Sequence, residues 1–425
     1  MDLITGKIGL RSKLVFISFI ISFVFPITSA AQSLLTDFQK ARDYDPIFAT
    51  ARIENEAGKL DAKIASMAYY PNARFSLSQL DNENSDRKTL AIIQPIFSYE
   101  KWLTLKEADP RLALAGSKLE LSQYDLAQRL FKTVSALVEA RVKLALNINS
   151  LNALETQVLS AKRAYELGMG TITDLRDTEV RLAQVKSQSF ALKAANSAAE
   201  RQYFALVGHV PKGDFYTLKT KPNMFRLSIL EEYMTRAEKR SPAIRANELN
   251  ISLAEISKQK ALAVLLPSVN AFVQRSQISG SPAVSNSGIA LRIDLPILAG
   301  SFYKGTAAEF ELNKAQEQAR NTLQQIRLEV ERYYSQVEAI QSEILVRAEA
   351  INASELSLDA NEQSFKGGVR TKLDVLNALQ AKFQARADFA SAQLRLGEAF
   401  LALLIVSATD TDAALNQIND MIFVD

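Results

Sequence analysis

Residues 365–375 read Phe365-Lys366-Gly367-Gly368-Val369-Arg370-Thr371-Lys372-Leu373-Asp374-Val375. The same plan stands 200 residues earlier in Tyr165-Glu166-Leu167-Gly168-Met169-Gly170-Thr171-Ile172-Thr173-Asp174-Leu175. Aromatic, glycine, threonine, aspartate and aliphatic positions recur in the same order. Each stretch follows a long run without Gly or Pro, residues 117–167 in one case and 306–366 in the other. Such runs favour helix, and a glycine at the end of one supplies the left-handed backbone that reverses the chain. Each stretch therefore predicts the turn of a long helical hairpin. The longer run reaches roughly 90 Å at 1.5 Å per residue.

Upstream of these turns the repetition continues. Tyr70-Pro71-Asn72-Ala73-Arg74-Phe75 resembles Leu266-Pro267-Ser268-Val269-Asn270-Ala271-Phe272, with prolines 196 apart. Gln94-Pro95-Ile96-Phe97 resembles Leu295-Pro296-Ile297-Leu298, with prolines 201 apart, and Ala41 to Pro46 parallels Ala237 to Pro242. Matches in constant order at a near-constant offset indicate a duplicated unit. Each unit reads as helix, strand, strand, long helix, turn, helix. The expected divisions are a leader at 1–31, a first repeat at 32–207, a linker at 208–227, a second repeat at 228–407 and a tail at 408–425. The linker is signalled by Gly208, Pro211, Gly213 and Pro222 in a chain with only 15 Gly and 11 Pro in 425 residues.

Within the first long run, Leu130, Leu137, Leu144, Leu151, Val158 and Tyr165 recur every seven residues. Val134 and Ile148 supply part of the second apolar position, which Arg141, Glu155 and Lys162 then interrupt. This is a coiled-coil stripe that thins toward its end. Pro110 is expected to bend the helix or to mark its start. The strands are read from alternation. Ala73, Phe75 and Leu77 alternate with polar neighbours, as do Ile289, Leu291, Ile293 and Leu295. Polar, turn-rich stretches at 81–86 and 279–287 make each pair a hairpin. Strands of about ten residues, tilted by about 45°, match a bilayer core. A hairpin capping a soluble coiled coil would alternate in the same way.

Residues 1–31 have the form of a secretory signal. Lys7, Arg11 and Lys13 precede an apolar stretch from Leu14 to Phe25, then Pro26 and small residues before Ala30 and Ala31. Its removal takes three positive charges and Asp2 from a chain of formal net charge +3, so no basic balance for nucleic acid is expected. The chain has no Cys, which excludes disulfides, thiolate metal sites, a Cys nucleophile and a lipid-anchored Cys. No run of eighteen consecutive apolar residues follows the leader, so no membrane-spanning helix is expected.

Two hairpins give four strands, too few to close a barrel, and an open edge in lipid leaves backbone groups unsatisfied. If the hairpins enter a membrane, several chains must share one barrel. Two chains give about eight strands with a filled interior, whereas three give about twelve and leave a lumen.

On these residues the chain resembles the TolC family of outer membrane factors. The segments that carry the resemblance are Phe97-Ser98-Tyr99-Glu100-Lys101-Trp102, Leu295-Pro296-Ile297 and Gly368-Val369-Arg370-Thr371-Lys372-Leu373-Asp374-Val375-Leu376. The resemblance implies a mainly α fold with membrane β, in which a long coiled-coil barrel continues a shared transmembrane β-barrel. It implies a homotrimer in the outer membrane of a Gram-negative bacterium, extending into the periplasm. It implies partners as well: a periplasmic adaptor, an inner-membrane transporter and outer-membrane lipid. The absent lipoprotein Cys fits the type I secretion branch better than lipid-anchored efflux relatives.

The resemblance places adaptor docking at two tips, Gly168, Met169, Gly170 and Thr171 in one, and Gly367, Gly368, Val369 and Thr371 in the other. It makes Arg370 the partner of Asp174 in a periplasmic gate, with Asp374 forming an anionic ring. Phe365 stands where a Tyr hydroxyl often bonds to the position of Thr173, and Asn377 stands where a second Asp often sits. Trp102 is expected at the membrane interface.

No catalytic set is visible and no cofactor or metal is expected. His209 is the only His, at a helix end beside Gly208, and Gly367-Gly368 follows a helix rather than a strand. The chain therefore reads as a passive secretion or efflux channel and not an enzyme. A secreted coiled-coil scaffold without a barrel is the alternative. A periplasmic adaptor fits less well, because hairpins lie inside both repeats.

Overall fold

A computed structural model describes residues 33–80, 85–210, 216–220, 225–279, 284–294 and 301–424. The leader, the turn residues 81–84 and 280–283, the strand end at 295–298 and the linker residues Pro211, Gly213 and Pro222 lie outside them. The duplication is visible in the element order. Helices α1 (Leu34–Tyr44) and α2 (Pro46–Ser66) lead to strands β1 (Asn72–Leu80) and β2 (Ser85–Phe97). After these come α3 (Tyr99–Lys106), α4 (Ala108–Glu166) and α5 (Ile172–Val207). The second round is α6 (Leu230–Arg240), α7 (Pro242–Ala263), β3 (Ser268–Ser279), β4 (Val284–Asp294), α8 (Ser301–Lys366) and α9 (Lys372–Val406), closed by α10 (Thr411–Ile422).

Local chemistry sets the boundaries. Ser33 and Thr36 form a capping box at the start of α1. Asp45 caps α2 by accepting the Phe48 N–H at 2.9 Å, and Pro46 takes the first helical position, where its missing N–H costs nothing. Ser241 and Pro242 take the same two positions at α7, where the proline recurs but the serine side chain makes no cap hydrogen bond. Pro110 falls in the first turn of α4, three residues beyond the short break at Glu107, and so marks a helix start.

The four strands form one antiparallel sheet in the order β1-β2-β3-β4. The two hairpins are thus joined through β2 and β3, with Ile92 opposite Val273 and Leu90 opposite Arg275. Pro95 has no N–H for a ladder and sits where the β2–β3 register shifts between Pro95 and Phe97. Residues opposite one another share a face. One face carries Phe75, Leu90, Ile92, Val273, Ile289, Leu291 and Ile293, and all of these are exposed. The other carries Arg74, Ser76, Thr89, Gln274, Ser276, Asn286 and Arg292, with Thr89 and Ser276 hydroxyls 3.2 Å apart. An exposed apolar band of this width is unstable in water and calls for lipid.

The main core surrounds the waist of the long helices. Leu126, Leu130, Phe131, Val134 and Leu137 of α4 pack with Phe400, Leu403 and Leu404 of α9, Phe38 of α1 and Ile418 of α10. The C-terminal part of α9 is apolar enough by composition to cross a membrane, but most of it is buried in this core. The α4 seam departs from the expected heptad. Leu130 and Leu137 are buried, but Ile148 and Tyr165 are exposed, and the buried line moves to Asn147, Leu154 and Ala161. The seven-residue spacing itself persists: Asn147, Leu154 and Ala161 are seven apart and stand three residues after the half-buried Leu144, Leu151 and Val158, so the second seam position falls there and not at Ile148.

At the same waist, Asp37 is fully buried. It accepts the Tyr216 hydroxyl at 2.6 Å and that of Tyr203 at shorter range, and His209 Nε2 lies 3.7 Å from its other oxygen. His209 is thus part of a packing cluster at the end of α5. Asp37→Leu leaves two buried hydroxyls without their acceptor and is expected to destabilise the fold by about 2–4 kcal/mol. Thermal unfolding of the assembled protein should show a lowered midpoint, and an unchanged midpoint would contradict this role.

Candidate functional site

The turn between α4 and α5 and the turn between α8 and α9 are superimposable in their hydrogen bonding. In the first, Gly168 has φ +69°, its N–H donates to the Tyr165 carbonyl at 3.0 Å, and Met169 N–H donates to Ala164 at 2.8 Å. In the second, Gly368 has φ +76°, with Gly368 N–H on Phe365 at 3.0 Å and Val369 N–H on Ser364 at 2.9 Å. Both are Schellman closures, which satisfy the last carbonyls of a helix and need a left-handed residue. The next helix begins three residues on. Thr171 and Thr371 are its N-caps, each paired with an aspartate in a capping box.

These boxes fix the two expected gate carboxylates. Asp174 accepts from the Thr171 N–H at 3.3 Å and from its hydroxyl at 2.6 Å. Asp374 accepts from the same groups of Thr371 at 2.9 and 2.8 Å. The Thr371 N–H and hydroxyl, with a smaller contribution from Arg370, hold the Asp374 carboxyl below the usual carboxylate range despite slight desolvation. Arg370 is exposed at the second tip, and its charge acts on Asp374 of its own turn. Among the described residues it makes no ion pair with Asp174 inside one chain. Thr173 is exposed, and Phe365 presents a ring with no hydroxyl.

The tips are equal in backbone and unequal in chemistry. Leu167, Met169 and Ile172 make the first an exposed apolar knob, whereas Val369 and Arg370 make the second apolar and cationic. Lys372 was not singled out by sequence reasoning. It occupies the first helical position of α9, where the first repeat has Ile172, and it is only 7% exposed. Its Nζ donates to Gln157 Oε1 of α4 and lies 5.1 Å from the Phe365 ring centroid. A comparison of the two tips position by position would have found it.

At the other end of the helices, Trp102 stacks on Tyr99 with centroids 5.3 Å apart. Lys106 Nζ sits 3.9 Å from the Trp102 ring. An amphipathic ring beside a cation, just past the end of β2, has the chemistry of a membrane–water boundary.

The matches to known proteins run along most of the chain. A family model described as outer membrane efflux protein matches residues 234–406. The proteases secretion protein PrtF of Dickeya chrysanthemi is 23% identical over 92% of this chain and 91% of its own length. The outer membrane protein TolC of Vibrio cholerae is 21% identical over 91% and 94%. Along most of its length the chain is similar to the TolC family of outer membrane efflux proteins. Among solved structures, the outer membrane protein VceC of Vibrio cholerae shares the fold with a TM-score of 0.73 at 18% identity. It aligns over 89% of this chain and 96% of that one. The TolC-family fold accounts for both ends at once: the sheet is the membrane part, and the paired tips are the far ends of its helical hairpins. The family is one of outer membrane channels and transport proteins.

Proposed function

We propose that the chain is one protomer of a homotrimeric duct through which substrates pass passively across the periplasm and outer membrane. The observation that carries this reading is the sheet. One of its faces is apolar and exposed, and β1 and β4 each pair on one side only. Closing three such sheets edge to edge removes every open ladder and gives a barrel of about twelve strands with a polar lumen. Helices α4, α5, α8 and α9 continue each sheet into the periplasm, about 100 Å for the 66 residues of α8. The likeness to PrtF favours protein export, in a tripartite system with an inner-membrane transporter and a periplasmic adaptor, over small-molecule efflux. No catalysis is assigned to the chain. Residues 1–31 act as its cleaved leader, with 32–207 and 228–407 as its repeats. Trp102 anchors the barrel rim in lipid headgroups.

The adaptor docks on the tips, Gly168 to Thr171 and Gly367 to Thr371, through the exposed Met169 and Val369. At the entrance, Arg370 of one protomer meets Asp174 of the next, with Thr173 and Phe365 beside them and Asp374 facing the axis.

Docking is tested by substitution at Gly368. A Cβ there meets nothing within 4 Å, so any penalty comes from φ +76° alone. Gly368→Val should distort the turn at about 1–3 kcal/mol, and Gly368→Asn should be tolerated because Asn visits this region. Secretion should fall about tenfold or more in the valine variant, a change equivalent to about 1.4 kcal/mol. It should stay near the parent level in the asparagine variant. Trimer assembly should be normal in both, since the barrel is distant. Normal secretion by a well-formed Gly368→Val trimer would show that the tips are not the docking surface.

A further inference from the structure

Helices α4 and α5 form one hairpin and α8 and α9 the other, and an entrance at their tips can widen only if the hairpins separate there. Polar ties between them are sparse. Ser391 Oγ donates to Glu139 at 2.7 Å near the waist. Nearer the tips Lys372 of α9 bonds to Gln157 of α4, about 27 Å below Glu139 by helix rise. Between these ties the hairpins meet through apolar packing of Leu154 with Leu358, Val375, Leu376 and Leu379.

Lys372 is an unexpected residue for its place. A cation in the first turn of a helix faces the positive end of the helix dipole. A buried ammonium also needs compensation for lost water. Burial does lower the Lys372 pKa, while Glu362 and Asp174 act in the opposite sense. The compensation comes from three elements: the Gln157 carbonyl on α4, the Phe365 ring on α8 and the Asp174 charge on α5. In the first repeat the same position is Ile172, which is exposed and makes no such bond.

We infer that Lys372 is a clasp for the periplasmic entrance, a positioning residue that ties the second tip to the first hairpin through Gln157 and Phe365 and so holds the two hairpins of one protomer together. This rests on the channel reading above. A charge-assisted hydrogen bond in a half-dry site is stronger than an exposed one, so the clasp acts within each chain while Arg370 acts between chains. Phe365 offers no hydroxyl for a tip-to-tip bond, and its face instead receives the Lys372 cation.

The test is single-channel conductance of purified trimers in planar bilayers. Lys372→Met keeps the stem and removes the ammonium, and Gln157→Leu removes the acceptor. Each should raise conductance severalfold at unchanged trimer melting temperature. The double variant should do no more than either single, as expected for two halves of one contact. The chain has no native Cys, so Gln157→Cys with Lys372→Cys can be bridged by a short bis-maleimide, and bridging should return this variant to the parent conductance. Parent-like conductance of both single variants in well-formed trimers overturns the clasp, and so does full additivity in the double variant. If the single variants do not assemble, the bridged pair decides, and a conductance indifferent to bridging overturns it. A parent protein that forms no pore sinks the channel reading itself, whereas a conducting parent with silent variants sinks only the clasp.

Discussion

Ile289→Arg is expected to abolish assembly in the outer membrane. Ile289 lies on β4 opposite Val273, which in turn lies opposite Ile92, and it is 85% exposed. This row is the middle of the apolar band, with Val269 and Ile293 toward the helices and Phe75 and Leu90 toward the hairpin ends. An arginine at the midplane of a membrane β-barrel costs about 2–4 kcal/mol. Three copies raise this to roughly 6–12 kcal/mol, comparable with the whole stability of a folded domain. Asn286→Arg is the control. Asn286 lies on the same strand on the polar face, opposite Ser276, and there a charge faces water. Outer-membrane fractions should contain little or no trimer of the first variant and near-normal trimer of the second. Normal assembly of Ile289→Arg would mean that the apolar face does not meet lipid.

Arg370→Ser is expected to open the entrance. An exposed ion pair contributes only about 0–1 kcal/mol. In the proposed trimer three Arg370–Asp174 contacts between protomers would act on a single closed state, and a bias of a few kcal/mol shifts a two-state population strongly. Removing the guanidinium leaves Asp174 and Asp374 unbalanced around the axis. Conductance in planar bilayers should rise and cation preference should strengthen. Asp374→Ala should weaken cation preference and any block by multivalent cations. The sign of the pH effect follows from the capping box. The Thr371 N–H and hydroxyl hold the Asp374 carboxyl below the usual carboxylate range, so the carboxylate stays ionised as pH falls through about 5. Both the box's stabilisation and the cation preference are lost only as pH drops through that lowered value. Unchanged conductance of Arg370→Ser in an intact trimer would remove the gate assignment and leave the channel reading standing.

The features legible in the sequence are those that single residues enforce. Gly168 and Gly368 announced reversals because a left-handed turn excludes most side chains, and Thr171 with Asp174 reads as a cap by chemistry alone. Strand alternation at Phe75 and at Ile289 assigned faces. It could not show that β2 lies beside β3, because a period of two says which way a side chain points and nothing about its neighbour. The α4 seam is traceable at Leu130 and Leu137, but further on its second position is taken by Asn147, Leu154 and Ala161, and a polar Asn147 beside an apolar Ile148 hides which of the two is buried. The apolar end of α9 carries no period to read, because Phe400 to Ile405 are buried on all sides against α4, α1 and α10. Lys372 escaped notice because a lysine after a turn resembles any solvated cation, and only its contacts with Gln157 and Phe365 reveal otherwise. Arg370 and Asp174 lie on different tips and do not meet within one chain, so their pairing depends on neighbouring protomers.

The central claim is that one chain supplies four strands to a barrel that three chains close. Native mass measurement of the detergent-extracted protein tests it most directly. A single species of three chains that loses its integrity when detergent is removed is the expected result. A monodisperse monomer, stable in buffer without detergent, would contradict both the shared barrel and the duct.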